Sequence, residues 1–268
     1  VGDLLSYASP TPLPPGTLVR VPLGTREVLG VVWDEPATPA ALPAGMAPRA
    51  VAGVLAGIAP LDAPWRALVA FTARYYQRAL GEVALAALPP QLRELTPEQM
   101  ARRMRRPAAK AGAQGDGVTI ESIALSAEQA SAAGQIDVNP GPFLLFGSTG
   151  SGKTEVYMHC VARALAERAD AQALVMVPEI NLTPQLEARF RARFAPLYGA
   201  DAVVSLHSGM TNPQRLKSWL AAHRTEARIV LGTRMAVFAS LPGLRLIVVD
   251  EEHDASYKQQ EGARYSAR

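Results

Sequence analysis

The stretch Gly147-Ser148-Thr149-Gly150-Ser151-Gly152-Lys153-Thr154 decides the fold of the second half of this chain of 268 residues. It follows the apolar run FLLF (143–146) and precedes a helical pattern from Glu155 to about Arg168. A strand, a glycine-rich turn and a helix in this order are typical of a phosphate-binding loop, in which backbone N–H groups and the helix N-terminus surround phosphate oxygens. Lys153 offers a cation to the β and γ phosphates, and the Thr154 hydroxyl is placed to ligate Mg²⁺. The stretch therefore predicts a site for ATP and Mg²⁺.

Apolar runs of strand length alternate with helical patterns after this loop. Besides FLLF, the runs are ALVMV (173–177), AVVSL (202–206), RIVLG (228–232) and LRLIVVD (244–250). Continuous apolar strands separated by helices indicate a parallel sheet that is covered on both faces. The sequence thus predicts an α/β domain of the P-loop type.

The last apolar run ends in Asp250-Glu251-Glu252-His253, at the carboxyl end of a predicted strand, where such sheets bind their ligands. We expect Asp250 to hold Mg²⁺ through its water shell and Glu251 to orient or deprotonate the water that attacks the γ-phosphate. By itself the quartet could be a solvated acidic turn. Together with the phosphate loop it favours hydrolysis over transfer to a small molecule, and it predicts that Lys153 and Thr154 converge with Asp250 and Glu251.

Residues 1–93 have a different pattern, that of a small α+β module. Two short alternating strands, LVRVPLG and EVLGVVW, lie between Thr17 and Trp33 and join around Gly24, with Gly30 predicted at a bulge. Residues 50–58 suggest another strand, and residues 65–77 repeat apolar side chains at helical spacing.

Residues 94–122 lose this periodicity and are predicted to be a linker. Its basic residues either contact nucleic-acid phosphates or keep a flexible tether solvated. They are Arg102, Arg103, Arg105, Arg106 and Lys110.

Composition excludes several classes of protein. The chain is 49% hydrophobic with a net charge of +3, so wholesale disorder is not expected, and a polyanionic partner would suit it.

Its one cysteine, Cys160, cannot form an intramolecular disulfide or a thiolate zinc site alone, which favours a reducing cytoplasmic location. No apolar run reaches the roughly 20 residues of a membrane span, so no membrane partner is expected. Because the chain starts at Val1 and stops in a polar stretch at Arg268, we expect a piece of a longer protein.

Gln129 has two possible uses. Ser126 is a plausible N-cap three residues earlier, so the Gln129 side chain could complete a capping box. Its amide could instead pair with adenine. The residues alone favour capping, and the two uses compete for one side chain.

The order of these motifs resembles that of superfamily 2 helicases, and the text of the motifs resembles the primosomal replication-restart DNA helicases, the PriA family. The front module also resembles the N-terminal domain of that family, through PGTLVRVPLG (15–24) and ARYYQRALGEVALAALP (73–89). The matching helicase stretches are LSAEQ (125–129), GSTGSGKTEVY (147–157), LVMVPEINLTPQ (174–185), LHSGM (206–210), IVLGTRMAVF (229–238) and VVDEEHDASYKQQEGARYSAR (248–268).

This resemblance implies an ATP-dependent 3′-to-5′ DNA helicase that assembles the primosome at stalled forks, with primosome proteins and single-strand-binding protein as partners. Residues 1–93 would bind a 3′ DNA end, and residues 123–268 would be the first RecA-like lobe. The second lobe with its arginine finger, and the zinc-binding cysteines, would lie outside this chain. The residues that would contact DNA are Pro178, Glu179, Thr183, Gln185, Gly232, Thr233, Arg234, Tyr257, Lys258, Arg264 and Tyr265.

Two stretches depart from the family pattern. Its usual WRY is Ala263-Arg264-Tyr265 here, which leaves Tyr257 and Tyr265 as the rings that could stack on bases, and its FDY is Leu5-Ser6-Tyr7. We expect this chain to bind ATP and DNA without unwinding DNA alone. The alternatives are a DNA-binding module with a silent phosphate loop, and a P-loop ATPase unrelated to nucleic acid.

Overall fold

A small antiparallel sheet opens the computed structural model, which describes residues 4–34, 47–104, 124–148, 150–260, 262 and 264–268. Its strand order is β2-β1-β3, with the third strand reduced to two residues. The strands are β1 (Leu18–Leu23), β2 (Arg26–Val31) and β3 (Gly53–Val54).

The two predicted strands are confirmed, but the predicted bulge at Gly30 is wrong. The register of β1 and β2 runs without interruption from Leu18 opposite Val31 to Leu23 opposite Arg26. Gly30 lies opposite Val19, and a Cβ at Gly30 would come within 3.3 Å of a Val19 methyl. The glycine therefore accommodates close packing in a regular ladder.

Two helices pack on this sheet, α1 (Ala63–Tyr75) and α2 (Leu80–Ala87). The α1 helix begins where the Asp62 carboxylate accepts a hydrogen bond from the Trp65 N–H at 2.9 Å, which caps the first turn. Trp65 and Val69 point into the core of the module. The predicted helix over residues 65–77 is thus confirmed, shifted by two residues.

The predicted linker begins too early. A 3₁₀ helix (Pro90–Arg93) and α3 (Pro97–Met104) continue the module, and Leu95 and Met100 lie in its core. The buried Arg20 guanidinium donates to the carbonyls of Leu92 (3.0 Å) and Leu95 (3.1 Å), which holds this segment on β1. Arg105, Arg106, Lys110 and the rest of the predicted linker, residues 105–122, lie outside the described residues, as does the side chain of Arg103.

A parallel four-stranded sheet forms the second half, in the order β5-β6-β4-β7. All four strands were predicted from continuous apolar runs. The strands are β4 (Gln172–Met176), β5 (Val203–Leu206), β6 (Ile229–Gly232) and β7 (Leu244–Val249), and the helices are α4 (Ala127–Val138), α5 (Lys153–Ala166), α6 (Pro184–Tyr198) and α7 (Asn212–His223).

Both faces of strands β4, β5 and β6 are covered, as predicted for a RecA-like P-loop lobe, whereas Ile247 of β7 is 53% exposed. Side chains of α5 and α6, among them Val161 and Phe190, pack on one face. Side chains of α7 and of the segment after β7, among them Ala222 and Tyr257, pack on the other face. In the part of the chain that the structure describes, no helix is long and apolar enough to cross a membrane.

The run FLLF is not a strand, which corrects the prediction for residues 143–146. Leu144 is 77% exposed and Phe146 is 93% exposed, and the segment has no strand assignment. An apolar run becomes a strand only where a neighbour accepts its backbone hydrogen bonds, and none of the described strands pairs with this one.

The front module packs directly on the parallel-sheet half. One hydrophobic cluster contains Trp65 and Leu88 from the module together with Trp219 from α7 and Phe238. The Trp65 indole N–H donates to the Phe238 carbonyl at 2.9 Å in a buried position. The module is therefore anchored on the sheet side that carries α7.

Candidate nucleotide and nucleic-acid site

The glycine-rich loop reaches α5 through two glycines with left-handed backbone. Gly150 has φ of +82° and Gly152, the N-cap of α5, has φ of +80°. Glycine adopts this conformation without a steric cost, and it turns successive N–H groups toward a common point. A Cβ at Gly147 would come within 2.7 Å of the Ser151 Oγ, so the loop also needs a bare backbone there. Thr149 lies outside the described residues.

Lys153 holds its ammonium between the loop and the acidic quartet. Its Nζ donates to the carbonyls of Gly147 (2.7 Å) and Ser148 (3.2 Å), and it lies 3.8 Å from the Glu251 Oε1. Two residues about a hundred positions apart in the sequence thus form an ion pair. The predicted convergence of the two motifs agrees with this geometry.

Thr154 and Asp250 line one cleft of about 330 Å³. The Asp250 Oδ1 accepts from the Glu251 N–H at 3.1 Å, and its Oδ2 accepts from the Tyr157 hydroxyl at 3.2 Å. Burial raises the pKa of the Asp250 carboxyl above its usual value, and the Tyr157 hydrogen bond acts in the opposite direction. The other residues that line the cleft are Asn181, Thr183, Gln185, Leu186 and Arg189.

These donors fit ATP with Mg²⁺. A nest of loop N–H groups at a helix N-terminus and a lysine ammonium suit phosphate oxygens. A threonine hydroxyl and a partly buried carboxylate suit Mg²⁺, which takes oxygen ligands and keeps several waters.

Glu251 is held in an unusual backbone conformation. Its φ is +47°, which non-glycine residues seldom adopt, and such strain is found preferentially at functional sites. Its carboxylate lies between the Lys153 ammonium and the His253 imidazole, whose Nε2 is 3.6 Å from Oε2. The carboxylate therefore points toward the phosphate loop.

Gln129 caps α4, as the residues alone suggested. Its Oε1 accepts from the Ser126 N–H at 2.9 Å, and its own N–H donates to the Ser126 Oγ at 3.3 Å. The same side chain donates through Nε2 to the Ser151 carbonyl at 3.1 Å, so it ties α4 to the phosphate loop. Contact with adenine stays a prediction.

The residues expected to contact DNA fall into separate groups. Thr183 and Gln185 line the same cleft as Thr154 and Asp250, and the Thr183 Oγ1 caps α6 by accepting from the Leu186 N–H. Pro178 and Glu179 follow β4, and Glu179 accepts from the Ser208 hydroxyl at 2.7 Å.

Gly232 ends β6, and Thr233 and Arg234 follow it directly. A Cβ at Gly232 would come within 2.2 Å of the Ala236 Cβ, and Thr233 is buried. Arg234 donates to the Gln259 side chain at 2.6 Å and to the Ser256 carbonyl at 3.1 Å. Arg234 therefore fixes the loop that follows β7.

That loop contains the two tyrosines expected to stack on bases, and of these Tyr257 is buried and Tyr265 is half-buried. Tyr257 is 1% exposed, so stacking of a base on it disagrees with this structure. Its hydroxyl lies 2.6 Å from the Asp250 carbonyl and 3.0 Å from the Met176 carbonyl. The Tyr265 ring packs edge-on against Phe238, with 4.8 Å between ring centroids. Both rings thus hold the loop against the sheet, and Tyr257 connects it to Asp250.

Lys258 and Arg264 remain on the surface of this loop. The Lys258 ammonium lies 5.1 Å from the centroid of the Tyr76 ring at the end of α1, while Arg264 is exposed with φ of +48°. Ala263 lies outside the described residues.

Tyr157 and Arg189 also belong to the candidate site, although the sequence analysis did not predict them. Tyr157 lies four residues after Lys153 on α5, a spacing that places both on one helix face and could have identified it. Arg189 donates to the buried Glu155 carboxylate at 2.9 Å, a contact from α6 to α5 that no local spacing reveals.

Comparisons with known proteins match both halves of the chain. The model of the DEAD/DEAH box helicases matches residues 126–267, and that of a 3′ DNA-binding domain (3′BD) matches residues 1–89. The replication restart protein PriA of Bacillus subtilis is 45% identical over 126 residues, which are 47% of this chain and 15% of that protein. The PriA proteins of Helicobacter pylori strain J99 and Treponema pallidum are each 34% identical over 94% of this chain and 36% of their own length.

The chain therefore matches between 15% and 36% of the length of these relatives. It is similar to the replication restart proteins over nearly all of its own residues. Because the helicase model covers more than half of its residues, the chain belongs to the DEAD/DEAH box helicase family.

Proposed function

We propose that this chain binds ATP with Mg²⁺ in the cleft between α5 and β7 and belongs to an ATP-driven DNA helicase. The helicase would move 3′ to 5′ and restart replication at stalled forks in the cytoplasm. Primosome proteins and single-strand-binding protein would be its partners. The observation that carries the ATP site is the 3.8 Å approach of Lys153 to Glu251, beside a cleft lined by both Thr154 and Asp250. The DNA part is supported by the match to a 3′ DNA-binding domain and by the name of the relatives, replication restart protein.

Each site residue then has one task. Lys153 neutralises phosphate charge, while the loop N–H groups orient the phosphates. Thr154 and Asp250 would hold Mg²⁺, which withdraws charge from the β and γ oxygens when it is bound. Glu251 orients the attacking water, and its fixed backbone keeps the carboxylate facing the phosphate loop.

We also propose how the work is divided along the chain. Residues 1–93 would bind a 3′ DNA end, and residues 123–268 would form the first motor lobe. The resemblance assigns the arginine finger to a second lobe and the zinc site to a region outside these 268 residues. Since such an arginine contributes about 10³ to 10⁵ in rate, we expect the 268-residue polypeptide to bind ATP but to turn it over slowly, without unwinding DNA.

Lys153→Ala tests the ATP site. We expect it to weaken binding of a fluorescent ATP analogue with Mg²⁺ by about tenfold or more, because a hydrogen bond to a charged group is typically worth about 1.5–3 kcal/mol. Lys217→Ala is the matched control, since the Lys217 side chain is 84% exposed and lies on α7, away from the cleft. Equal affinities for both variants would overturn the proposal and favour a DNA-binding module with a silent phosphate loop.

A salt titration tests the DNA part. If the chain neutralises DNA phosphates, its affinity for forked DNA should fall steeply and linearly in a logarithmic plot against salt. Absence of measurable affinity for forked DNA at low salt would favour a P-loop ATPase unrelated to nucleic acid.

A further inference from the structure

Three aromatic rings lie together on the outer face of α1. Phe71 is 51% exposed and Tyr75 is 66% exposed, and their rings stack with centroids 5.5 Å apart and an angle of 25° between planes. The half-buried Tyr76 continues the row, with its ring edge-on to Tyr75 at 4.9 Å. We call Phe71, Tyr75 and Tyr76 the α1 aromatic row.

This exposure is not required by the fold of the helix. The opposite face of α1, which includes Trp65, Val69 and Ala73, already packs in the core of the module. Exposing two large rings side by side leaves apolar surface in water, which soluble proteins usually restrict to places that bind something. The exposure of the row therefore indicates a binding site for a ligand or a partner.

Basic groups surround the row. Arg74 follows Phe71 by three residues and so shares its helix face, while Arg78 lies three residues beyond the end of α1, and both are exposed. The Lys258 ammonium lies 5.1 Å from the Tyr76 centroid. The carboxylate beside these cations is Glu82, 3.9 Å from Arg78.

Exposed rings among cations match the chemistry of single-stranded nucleic acid. Bases stack on aromatic rings whatever their identity, while basic side chains neutralise the phosphates between them. An apolar protein partner would use the rings but would gain nothing from the surrounding cations, whose desolvation is costly. The combination thus favours a polyanion with flat apolar bases.

The row is also continuous with the loop that follows β7. The Ser266 N–H donates to the Tyr76 hydroxyl at 2.9 Å, and Arg78 donates to the Gly262 carbonyl at 2.8 Å. Tyr257, in the same loop, contacts the Asp250 carbonyl. A single strand of nucleic acid bound on the row would therefore contact the loop after β7, which in turn contacts Asp250 of the proposed nucleotide cleft.

We propose that the α1 aromatic row is a stacking platform for single-stranded DNA, with Arg74, Arg78 and Lys258 neutralising its phosphates. This deepens the proposed DNA function by placing the strand on the outer face of α1, and it rests on that function.

The test uses labelled oligo(dT) of about 15 nucleotides, within the range that single-strand sites occupy, and fluorescence anisotropy. The double variant Phe71→Ala/Tyr75→Ala should weaken binding by at least about tenfold, since stacking on one ring is worth about fivefold or more and two rings are removed. Tyr75→Phe keeps the ring and should bind within about twofold of the parent chain. The fluorescent ATP analogue should bind all three proteins equally, since no row residue lines the cleft.

Four results would overturn the proposal. One is equal oligo(dT) affinity for the double alanine variant and the parent chain, and another is an equal loss in Tyr75→Phe, which would show that the ring is not what binds. A third is unchanged oligo(dT) binding with an altered sedimentation coefficient, which would assign the row to protein association. Loss of ATP-analogue binding in Lys153→Ala with normal oligo(dT) binding separates this proposal from the ATP site. Failure of the parent chain to bind oligo(dT) would overturn this proposal and leave the ATP site standing.

Discussion

β4 and β7 lie side by side in the parallel sheet and have similarly apolar sequences, QALVM and LRLIVV, but they differ in burial. Every residue of β4 is buried, whereas Ile247 of β7 is 53% exposed and Leu244 is 36% exposed. β4 has a strand on each side, while the described residues give β7 a partner on one side only. We call β5, β6 and β4 the closed flank, and β7 with residues 143–146 the open flank.

The closed flank is also the side on which the front module packs. Trp219 of α7 stacks on His223 with 5.0 Å between ring centroids, and the His223 Nε2 contacts the Ala59 carbonyl at 3.0 Å. The edge strand β5 also has one neighbouring strand in the described sheet, yet it is largely buried because side chains of α6 and α7 pack on it. The covering helices, and not the hydrophobicity of a strand, therefore decide whether it is buried. Stability should therefore concentrate in the closed flank, while the open flank should tolerate change.

The largest difference in the free energy of unfolding is expected between the alanine variants of two phenylalanines. Phe190 is fully buried under the closed flank, near Tyr157 and Phe194, whereas Phe146 on the open flank is 93% exposed. Phe190→Ala should lower the free energy of unfolding by about 3–5 kcal/mol, through lost burial and the cavity that it leaves. Phe146→Ala, the matched control, should change it by no more than about 0.5 kcal/mol. Urea denaturation measures both, and equal losses would remove the distinction between the flanks.

The same comparison explains which parts of the fold could be predicted. Strands β4 to β7 follow from apolar runs between helical patterns, because continuous runs are typical of buried parallel strands. Residues 143–146 have the same pattern but lack a pairing neighbour, which is a tertiary property that no local sequence contains. The predicted linker starts too early because Leu95 and Met100 are isolated apolar residues, which give no periodic pattern in the sequence. They become buried only through contacts with distant parts of the module.

The candidate site was predictable where two short motifs supply it. Lys153, Thr154, Asp250 and Glu251 follow from spacing and strand ends, and their convergence agrees with the geometry. Tyr257 was misjudged, because a loop tyrosine looks exposed in sequence while its ring lies under the sheet. Ring burial in a loop depends on where the loop returns to the core, which the chain's order alone does not give.

An intermediate effect on stability is expected from a change of pH, through a histidine of the closed flank. Burial is the main cause that lowers the pKa of His223, whose ring also contacts the Ser240 hydroxyl at 2.9 Å. The unfolded chain takes up the proton near the ordinary pKa of about 6.5, before the folded chain does. Stability should therefore be complete above about pH 6.5 and fall as the pH drops toward the lowered pKa of the folded state, with a slope of at most about 1.4 kcal/mol per pH unit.

His223→Gln provides the control for this pH effect. It removes the titrating ring, so the contribution of His223 to the slope between pH 5 and 7, about one proton at most, should disappear from urea denaturation curves. An unchanged slope in His223→Gln would show that other groups cause the pH dependence.

The smallest effect on stability is expected at Ile247, where a change should instead alter association. An edge strand with exposed apolar side chains offers unpaired backbone groups and apolar surface to a second molecule, and a lysine placed there discourages such pairing. Ile247→Lys should change the free energy of unfolding by about 0.5 kcal/mol or less, and it should lower self-association in sedimentation velocity runs at high protein concentration. Val138→Lys is the matched control, since Val138 is 80% exposed at the end of α4 and is not part of a strand. A loss of stability in Ile247→Lys comparable to that of Phe190→Ala would mean that β7 is as enclosed as β4, and the contrast between the two flanks would not hold.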